Sequence, residues 1–321
     1  MSISEIEIIN QFFNKPLNES TRVKCGIGDD AAVIDIPEGM ELVLAMDTLV
    51  VGVHFFATAK PYDIGYKSLA VNLSDMAAMG AEPHWATLSL TLPEADHEWL
   101  TKFAEGFFYL ADLFSIDLIG GDVNHGPLSI TVQIQGLLPA GTAIKRSGAI
   151  PEDIIYVSGF VGDAGLALKV LNNEINLAEH EFNYVSHRLY RPDPRIELGL
   201  LLRGVATSAI DISDGLIADL GHILVASQVG ASLNPELLPL SDAYKSIVTE
   251  KSWDIALTAG DDYELCFTVP VNMQKTVEQW QLHNCPLTCI GNITRKQEME
   301  WVQSDGSIYT PEGSGFQHFR P

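Results

Sequence analysis

Gly26-Ile27-Gly28-Asp29-Asp30-Ala31 is the stretch on which the reading of this chain turns. Two glycines let the backbone turn tightly, and two adjacent carboxylates stand at the mouth of the turn. Neighbouring carboxylates repel, so gathering them is favourable mainly where a cation sits between them. The same arrangement returns downstream. An apolar run stops at glycine and aspartate in Ile119-Gly120-Gly121-Asp122, in Asp211-Ile212-Ser213-Asp214-Gly215 and in Ala259-Gly260-Asp261-Asp262.

Gly26-x-Gly28-x-x-Ala31, with Asp47 further on, also imitates a dinucleotide-binding fingerprint. That site needs a helix directly after the glycines, its N-terminus facing a pyrophosphate. Here Ala32-Val33-Ile34-Asp35-Ile36 is β-like, Pro37 and Gly39 end it, and Asp29 and Asp30 would face phosphates with no counter-charge. A plain acidic turn is the remaining rival to a cation site.

At 321 residues, 46% of them hydrophobic, the chain is long enough for two domains with a sizeable core. Lys and Arg total 19 against 42 Asp and Glu, a formal charge of −23. Nucleic acid and anionic membrane surfaces would repel such a protein, so neither is expected as a partner. The N-terminal stretch lacks the pattern of a signal peptide, and no apolar run is long enough to span a bilayer; the expected location is cytoplasmic. Cys25, Cys266, Cys285 and Cys289 make no disulfide framework in a chain of this length, and Cys285-x-x-x-Cys289 lacks a second ligand pair, so those two read as structural thiols.

Helical spacing over residues 2–13 places Ile6, Ile9, Phe12 and Phe13 on one face. Residues 41–47 read as a buried strand ending on Asp47, shortly before His54-Phe55-Phe56. A helix is expected over 63–80, with Leu69, Leu73, Met76 and Ala77 inward and Asn72 and Asp75 together at its edge. Strands at 86–92, 116–119 and 128–138 and a helix at 94–114 follow, the short strand delivering Gly120-Gly121-Asp122. The breaker-rich segment from Pro139 to Pro151 marks the domain boundary, giving domains 1–138 and 149–321. In the second half, strands at 153–158, 209–211 and 263–269 alternate with helices after Gly165, after Arg195 and over 216–224, and the apolar run 255–258 leads into Ala259-Gly260-Asp261. The class is therefore α/β, with an α+β first half.

Oxygen-only ligands on short aspartate arms, without a His/Cys cluster, favour a hard cation such as Mg²⁺ over zinc. Magnesium is usually held by few carboxylates together with substrate phosphates, so many aspartates point to several ions around a polyphosphate, with ATP the natural candidate. The Walker and protein-kinase signatures are absent, so phosphoryl transfer would use another scaffold. Lys145-Arg146-Ser147-Gly148 is either a phosphate fork or a solvated linker charge. His54 reads equally as a ligand contact or as an ordinary half-buried imidazole.

Gly26-Ile27-Gly28-Asp29-Asp30-Ala31, Asp47-Thr48-Leu49-Val50-x-x-Val53-His54-Phe55, Asn72-Leu73-Ser74-Asp75-Met76-Ala77-Ala78-Met79-Gly80, Gly120-Gly121-Asp122, Asp211-Ile212-Ser213-Asp214-Gly215-Leu216 and Asp262-Tyr263-Glu264-Leu265 resemble, in order, the motifs of thiamine-monophosphate kinases. Each is weak alone; together they span nearly the whole chain. The resemblance implies ATP-dependent phosphorylation of thiamine monophosphate to thiamine diphosphate, the final step of that cofactor's biosynthesis, by direct transfer without a phosphoenzyme. It implies a two-domain PurM-like fold, shared with aminoimidazole ribonucleotide synthetase, in which the N-terminal sheets of two subunits close a β-barrel across a homodimer and the C-terminal half is an α/β domain. Carried over by motif, Asp30, Asp47, Asp75, Asp122, Asp211 and Asp214 hold several Mg²⁺ ions. Gly121, Asp122, Arg146 and Ser213 contact ATP, and His54, Asp261 and Phe316 contact thiamine monophosphate. The family's chemistry assigns no covalent nucleophile.

Three departures bear on these roles. Ala45-Met46 stand where the family usually has hydroxyl residues before the aspartate. Asp261 replaces a common glutamate, shortening the arm by one methylene, and Phe316 stands where tyrosine is common. Other members of the scaffold fit less well: the motif around Cys25 is not that of selenophosphate synthetase, and the closing Phe319-Arg320-Pro321 lacks the cysteine of the hydrogenase-maturation relative. A non-catalytic acidic cation-binding protein would bind metal without nucleotide.

Overall fold

The computed structural model describes residues 4–18, 22–247 and 253–319. It divides into two compact units: residues Met1–Met76 with Ala81–Thr142, and Ala77–Gly80 with Ala143–Pro321.

The first unit opens on a reciprocal cap. The Ser4 hydroxyl accepts the Glu7 N–H at 3.3 Å, while the Glu7 carboxylate accepts the Ser4 N–H at 2.8 Å. Helix α1 (Glu5–Ile8) continues as a wider π-helical turn over Ile9–Phe13, burying Ile8, Phe12 and Phe13. Positions 2 and 3 of the expected helix lie outside the described residues. Strands β1 (Val23–Cys25) and β2 (Val33–Ile34) pair antiparallel and hold the glycine-aspartate turn between them. No helix follows the glycines.

Strands β3 (Met40–Val50), β4 (Glu82–Leu92), β5 (Asp117–His125) and β6 (Ser129–Pro139), with helices α2 (Pro61–Met79) and α3 (His97–Leu113), complete the unit. The sheet order is β3-β6-β4-β5, antiparallel except for the parallel β4–β5 pair. Alternation decides its faces. Ile130, Val132 and Ile134 of β6 and Ala86, Leu88 and Leu90 of β4 are buried, while Thr131, Gln133, Thr87 and Ser89 are only partly covered. Helices α2 and α3 cross at two glycines: a Cβ on Gly65 would lie 2.1 Å from the Phe103 carbonyl oxygen, and one on Gly106 1.9 Å from that of Tyr62. Strand β5 is longer than the expected 116–119. It runs through Gly120-Gly121-Asp122, because Gly121, at φ +152°, lets it pass beside β4 where a Cβ would stand 1.9 Å from the Leu88 carbonyl oxygen.

The second unit comprises β7 (Ile154–Ser158), α4 (Asp163–Leu171), α5 (Glu179–Tyr190), α6 (Ile196–Leu202), β8 (Ser208–Asp211), α7 (Leu216–Ser227), β9 (Gly230–Leu233), α8 (Asp242–Ile247), α9 (Asp254–Thr258), β10 (Leu265–Val269), α10 (Gln274–Glu278), β11 (Leu287–Thr294), β12 (Met299–Val302) and β13 (Ile308–Tyr309). Its seven-stranded sheet has the order β13-β12-β9-β11-β7-β10-β8, antiparallel except for β9–β12. Strand β7 is buried along its whole length, which is why its sequence is a continuous apolar run. Ile155, Val157, Ile210, Leu216 and Leu220 belong to one core. The run 255–258 that leads into Ala259-Gly260-Asp261 folds as helix α9, and the Ala256 N–H donates to the buried Tyr244 hydroxyl at 3.1 Å. A four-residue run carries no period of its own, and tertiary packing settles it.

Candidate active site

In the first unit, the glycine-aspartate turn and strand β5 line one cleft of about 890 Å³, with Ile6 and Ile9 on its wall. Gly28 adopts φ +110°, and the Asp29 N–H reaches back to the Gly26 carbonyl at 3.4 Å. Asp29 serves its own turn: Oδ1 accepts the Asp30 N–H at 3.0 Å and Oδ2 accepts the Cys25 thiol at 3.3 Å. The Cys25 contact and then the Asp30 amide hold the Asp29 carboxyl below its ordinary value, while the same contact raises the thiol. Asp30 is exposed and lines the cleft with Gly121 and Asp122, so two of the expected metal ligands share one wall system. Asn124, which sequence reasoning missed, donates to Asp122 Oδ2 from two residues along the same face of β5.

Asp47 and Asp75 stand elsewhere in this unit, beside Asn72. The fully buried Asn72 side chain accepts the Asp47 N–H at 3.1 Å and donates to the Ser68 carbonyl at 3.0 Å, tying β3 to α2. Asp75 lies one helical turn beyond it. Of the two residues before Asp47, Ala45 shares its face and Met46 occupies the opposite, exposed one. His54 sits in the turn after β3, where its Nδ1 accepts the Val50 N–H at 3.0 Å, so its ring proton is on Nε2. Lys67, 2% exposed on α2, donates to the His54 carbonyl at 3.5 Å. The sequence signal for this residue was a lone cation inside an apolar helix.

In the second unit, strand β8 ends on Asp211 and the chain turns through Ile212-Ser213-Asp214-Gly215 into α7. Neighbouring loops close on this turn. The Asp261 N–H donates to the Ser213 carbonyl at 2.9 Å, the Tyr263 N–H to the Ile212 carbonyl at 2.8 Å and the Phe316 N–H to the Asp214 carbonyl at 2.9 Å. A Cβ on Gly260 would stand 2.1 Å from the Ser213 carbonyl oxygen, so only glycine permits this approach. The fold thereby gathers Asp211, Ser213, Asp214, Asp261 and Phe316. Asp261 and Tyr263 both adopt left-handed backbone, at φ +69° and +51°, and the Tyr263 hydroxyl donates to Asp261 Oδ1 at 3.1 Å. Phe316 remains 41% exposed, with His318 edge-on at 5.0 Å.

Two acids of the Asp262-Tyr263-Glu264-Leu265 motif face inward. Asp262 accepts the Gly162 N–H with both oxygens, at 3.0 and 2.8 Å, and burial raises its carboxyl well above the ordinary value. Glu264 is wholly buried and held by Arg188 at 2.5 Å, Arg195 at 2.5 and 2.6 Å, and the Ser158 hydroxyl at 2.6 Å. Burial raises it, but the two guanidiniums prevail and its carboxyl is lowered. Asp219 of α7, also missed, is 2% exposed, and burial followed by the neighbouring Asp211 pushes it up to about 7.

Arg146 stands apart. The Lys145 carbonyl accepts the Ala209 N–H at 3.1 Å and the Arg146 carbonyl accepts the Ser227 hydroxyl at 3.3 Å. Ser227 is the last residue of α7, a helix of about 18 Å with Ser213 beyond its other end. Among the described residues no group of three or more His, Cys, Asp or Glu side chains is gathered to hold a metal. Asp30 and Asp122 share the cleft, Asp47 and Asp75 flank Asn72, and Asp211 and Asp214 share one turn. Oxygen-only sets of one or two carboxylates suit magnesium, which completes its shell with water and phosphate oxygens.

Residues 28–142 match the family described as AIR synthase related protein, N-terminal domain. Over 322 residues, 99% of each chain, the protein is 45% identical to the thiamine-monophosphate kinase of Escherichia coli strain K12. The chain belongs to the thiamine-monophosphate kinase family. The crystal structure of thiamine-monophosphate kinase from Stenotrophomonas maltophilia K279a superposes with a TM-score of 0.82 at 44% identity, over 91% of this chain and 93% of that one. A structure of AaThiL complexed with AMPPCP and TMP superposes with a TM-score of 0.77 at 30% identity, over 89% of each chain. The two-unit α/β architecture is accordingly PurM-like.

Proposed function

We propose that this protein transfers the terminal phosphoryl group of ATP to the phosphate of thiamine monophosphate, forming thiamine diphosphate and ADP, the closing step of that cofactor's biosynthesis. The observation that carries this reading is the 45% identity to the Escherichia coli enzyme along 99% of both chains. The likeness to AaThiL, solved with AMPPCP and TMP, supports the same pair of substrates.

The acceptor phosphate attacks the γ-phosphorus directly, the bond to the β–γ bridging oxygen breaks, and ADP leaves; no group on the protein is phosphorylated. Donor and acceptor are both anionic, so positioning and charge screening carry the catalysis. Magnesium, when bound, supplies that screening. Asp30, Asp47, Asp75, Asp122, Asp211 and Asp214 would hold it, as carboxylates in a set that contains no nitrogen or sulfur donor. Gly121 offers backbone without a side chain in the way of ATP phosphates, and Asp122, Ser213 and the exposed Arg146 complete that contact set. His54, Asp261 and Phe316 receive thiamine monophosphate, Phe316 stacking on a ring and Asp261 facing the cationic thiamine moiety. Tyr263 restrains the shortened Asp261 arm.

The working protein is a homodimer whose N-terminal sheets close a barrel. Supporting this, β3 is an edge strand of its sheet, and Leu42, Leu44 and Met46 form an exposed apolar row along it. No helix among the described residues is long and apolar enough to cross a membrane. The reading carries with it a cytoplasmic enzyme acting on soluble metabolites.

The decisive test supplies purified protein with Mg²⁺ and ATP and compares thiamine monophosphate with free thiamine as acceptor. Thiamine diphosphate from the monophosphate, with no product from thiamine, is the expected result. Failure of the monophosphate to react under conditions where ATP binds would overturn it.

A further inference from the structure

Asp219 belongs to none of the ligand sets above, yet the Asp211–Gly215 turn is built around it. One oxygen, Oδ2, accepts three consecutive backbone N–H groups: Ser213 at 2.9 Å, Asp214 at 3.0 Å and Gly215 at 3.1 Å. The side chain is 2% exposed and lies in the first turn of α7, so the helix holds from within the three residues that lead into it. Two consequences follow from that geometry. The Ser213, Asp214 and Gly215 amides are already occupied, leaving Ser213 its hydroxyl to offer a nucleotide. And the carboxylates of Asp211 and Asp214 ride on a segment whose course this single oxygen holds, while its outward carbonyls at Ser213 and Asp214 anchor Asp261 and Phe316.

Resting on the kinase reading, we propose that Asp219 is a positioning residue that sets the turn's affinity for divalent cation and nucleotide without touching either. A residue behind the ligands typically changes metal affinity by roughly 10- to 100-fold when its contact is lost. Geometry, rather than charge, is what the three amides require: any correctly placed acceptor oxygen serves.

The test compares Asp219→Asn, which keeps an acceptor oxygen at the same reach, with Asp219→Glu and Asp219→Ala, which displace or remove it. Full-length protein is titrated with Mn²⁺ and followed by electron paramagnetic resonance, with KM for MgATP and kcat measured alongside. Asp219→Glu and Asp219→Ala are expected to weaken Mn²⁺ binding and raise KM by about tenfold or more, with Asp219→Asn within about threefold of the parent. Should Asp219→Ala fail to fold, the Asn and Glu pair carries the comparison. Parent-like Mn²⁺ affinity in Asp219→Glu, equal loss in Asn and Glu, or no Mn²⁺ binding by the parent would each overturn the proposal. A parent that binds Mn²⁺ but makes no thiamine diphosphate would instead remove the reaction, leaving the contrast between the variants to decide the role of Asp219.

Discussion

Asp122 projects from an exposed strand position, with Asn124 bonded to its Oδ2 and Gly121 beside it as bare backbone. Its removal takes away charge and nothing from the core. Asp122→Ala is therefore expected to lower kcat/KM for ATP by roughly 10²- to 10³-fold, while leaving the thermal midpoint close to the parent's; steady-state kinetics beside a melt check both. A variant with parent-like turnover would withdraw the metal and nucleotide role. Asp122 could be found from sequence because its glycines announce a backbone needing close approach. Asp219 could not, because a lone acid in the first turn of a helix usually marks a favourable dipole contact. Only coordinates show three amides converging on one of its oxygens.

Helix α4 begins at a buried charge. Asp163 is its first residue, fully buried, with Oδ1 accepting the Ser241 hydroxyl at 2.5 Å. Burial raises its carboxyl, with the Ser241 contact and Arg188 only partly opposing. A folded-state pKa above the unfolded one stabilises the protein while the group is protonated, and that contribution is lost as pH rises from the ordinary carboxylate range through the raised value. Asp262 acts in the same direction. Glu264, lowered by Arg195 and Arg188, acts oppositely, its contribution lost as pH falls. Asp163→Asn is thus expected to make the thermal midpoint fall less, or rise more, as pH rises above the ordinary carboxylate range; a pH profile identical to the parent's would show that Asp163 makes no such contribution. The long elements were legible because periodicity repeats over many residues, as in α2, α3 and β6. Two short stretches were not. The run 255–258 has no period, and β5 exceeds its apolar stretch because two glycines let it continue beside β4.

On the scale of the molecule, edge strand β3 of the first unit carries an exposed apolar row. Leu44 and Met46, 57% and 62% exposed on β3, are the centre of that row. Leu44→Glu is expected to convert a two-chain species to single chains in analytical ultracentrifugation, since a buried unpaired carboxylate at a symmetric contact is met twice. A parent that sediments as one chain would remove the dimer, and a variant that stays paired would move the interface elsewhere. The charge of −23 acts at this scale too, raising the electrostatic cost of approach for a long polyanion such as nucleic acid.

By itself the sequence determined the α/β class, the positions where acid follows glycine, and the ordered motif set that belongs to the thiamine-monophosphate kinases, because turn chemistry and periodicity are local properties. The tertiary structure decided which acids are available. Asp30 and Asp122 line a cleft; Asp262 and Glu264, from the same kind of motif, are consumed by Gly162, Arg188 and Arg195 inside the fold. Neighbours in sequence share a composition but not a solvent environment, and whether a carboxylate faces water or a buried guanidinium is fixed only when distant segments pack.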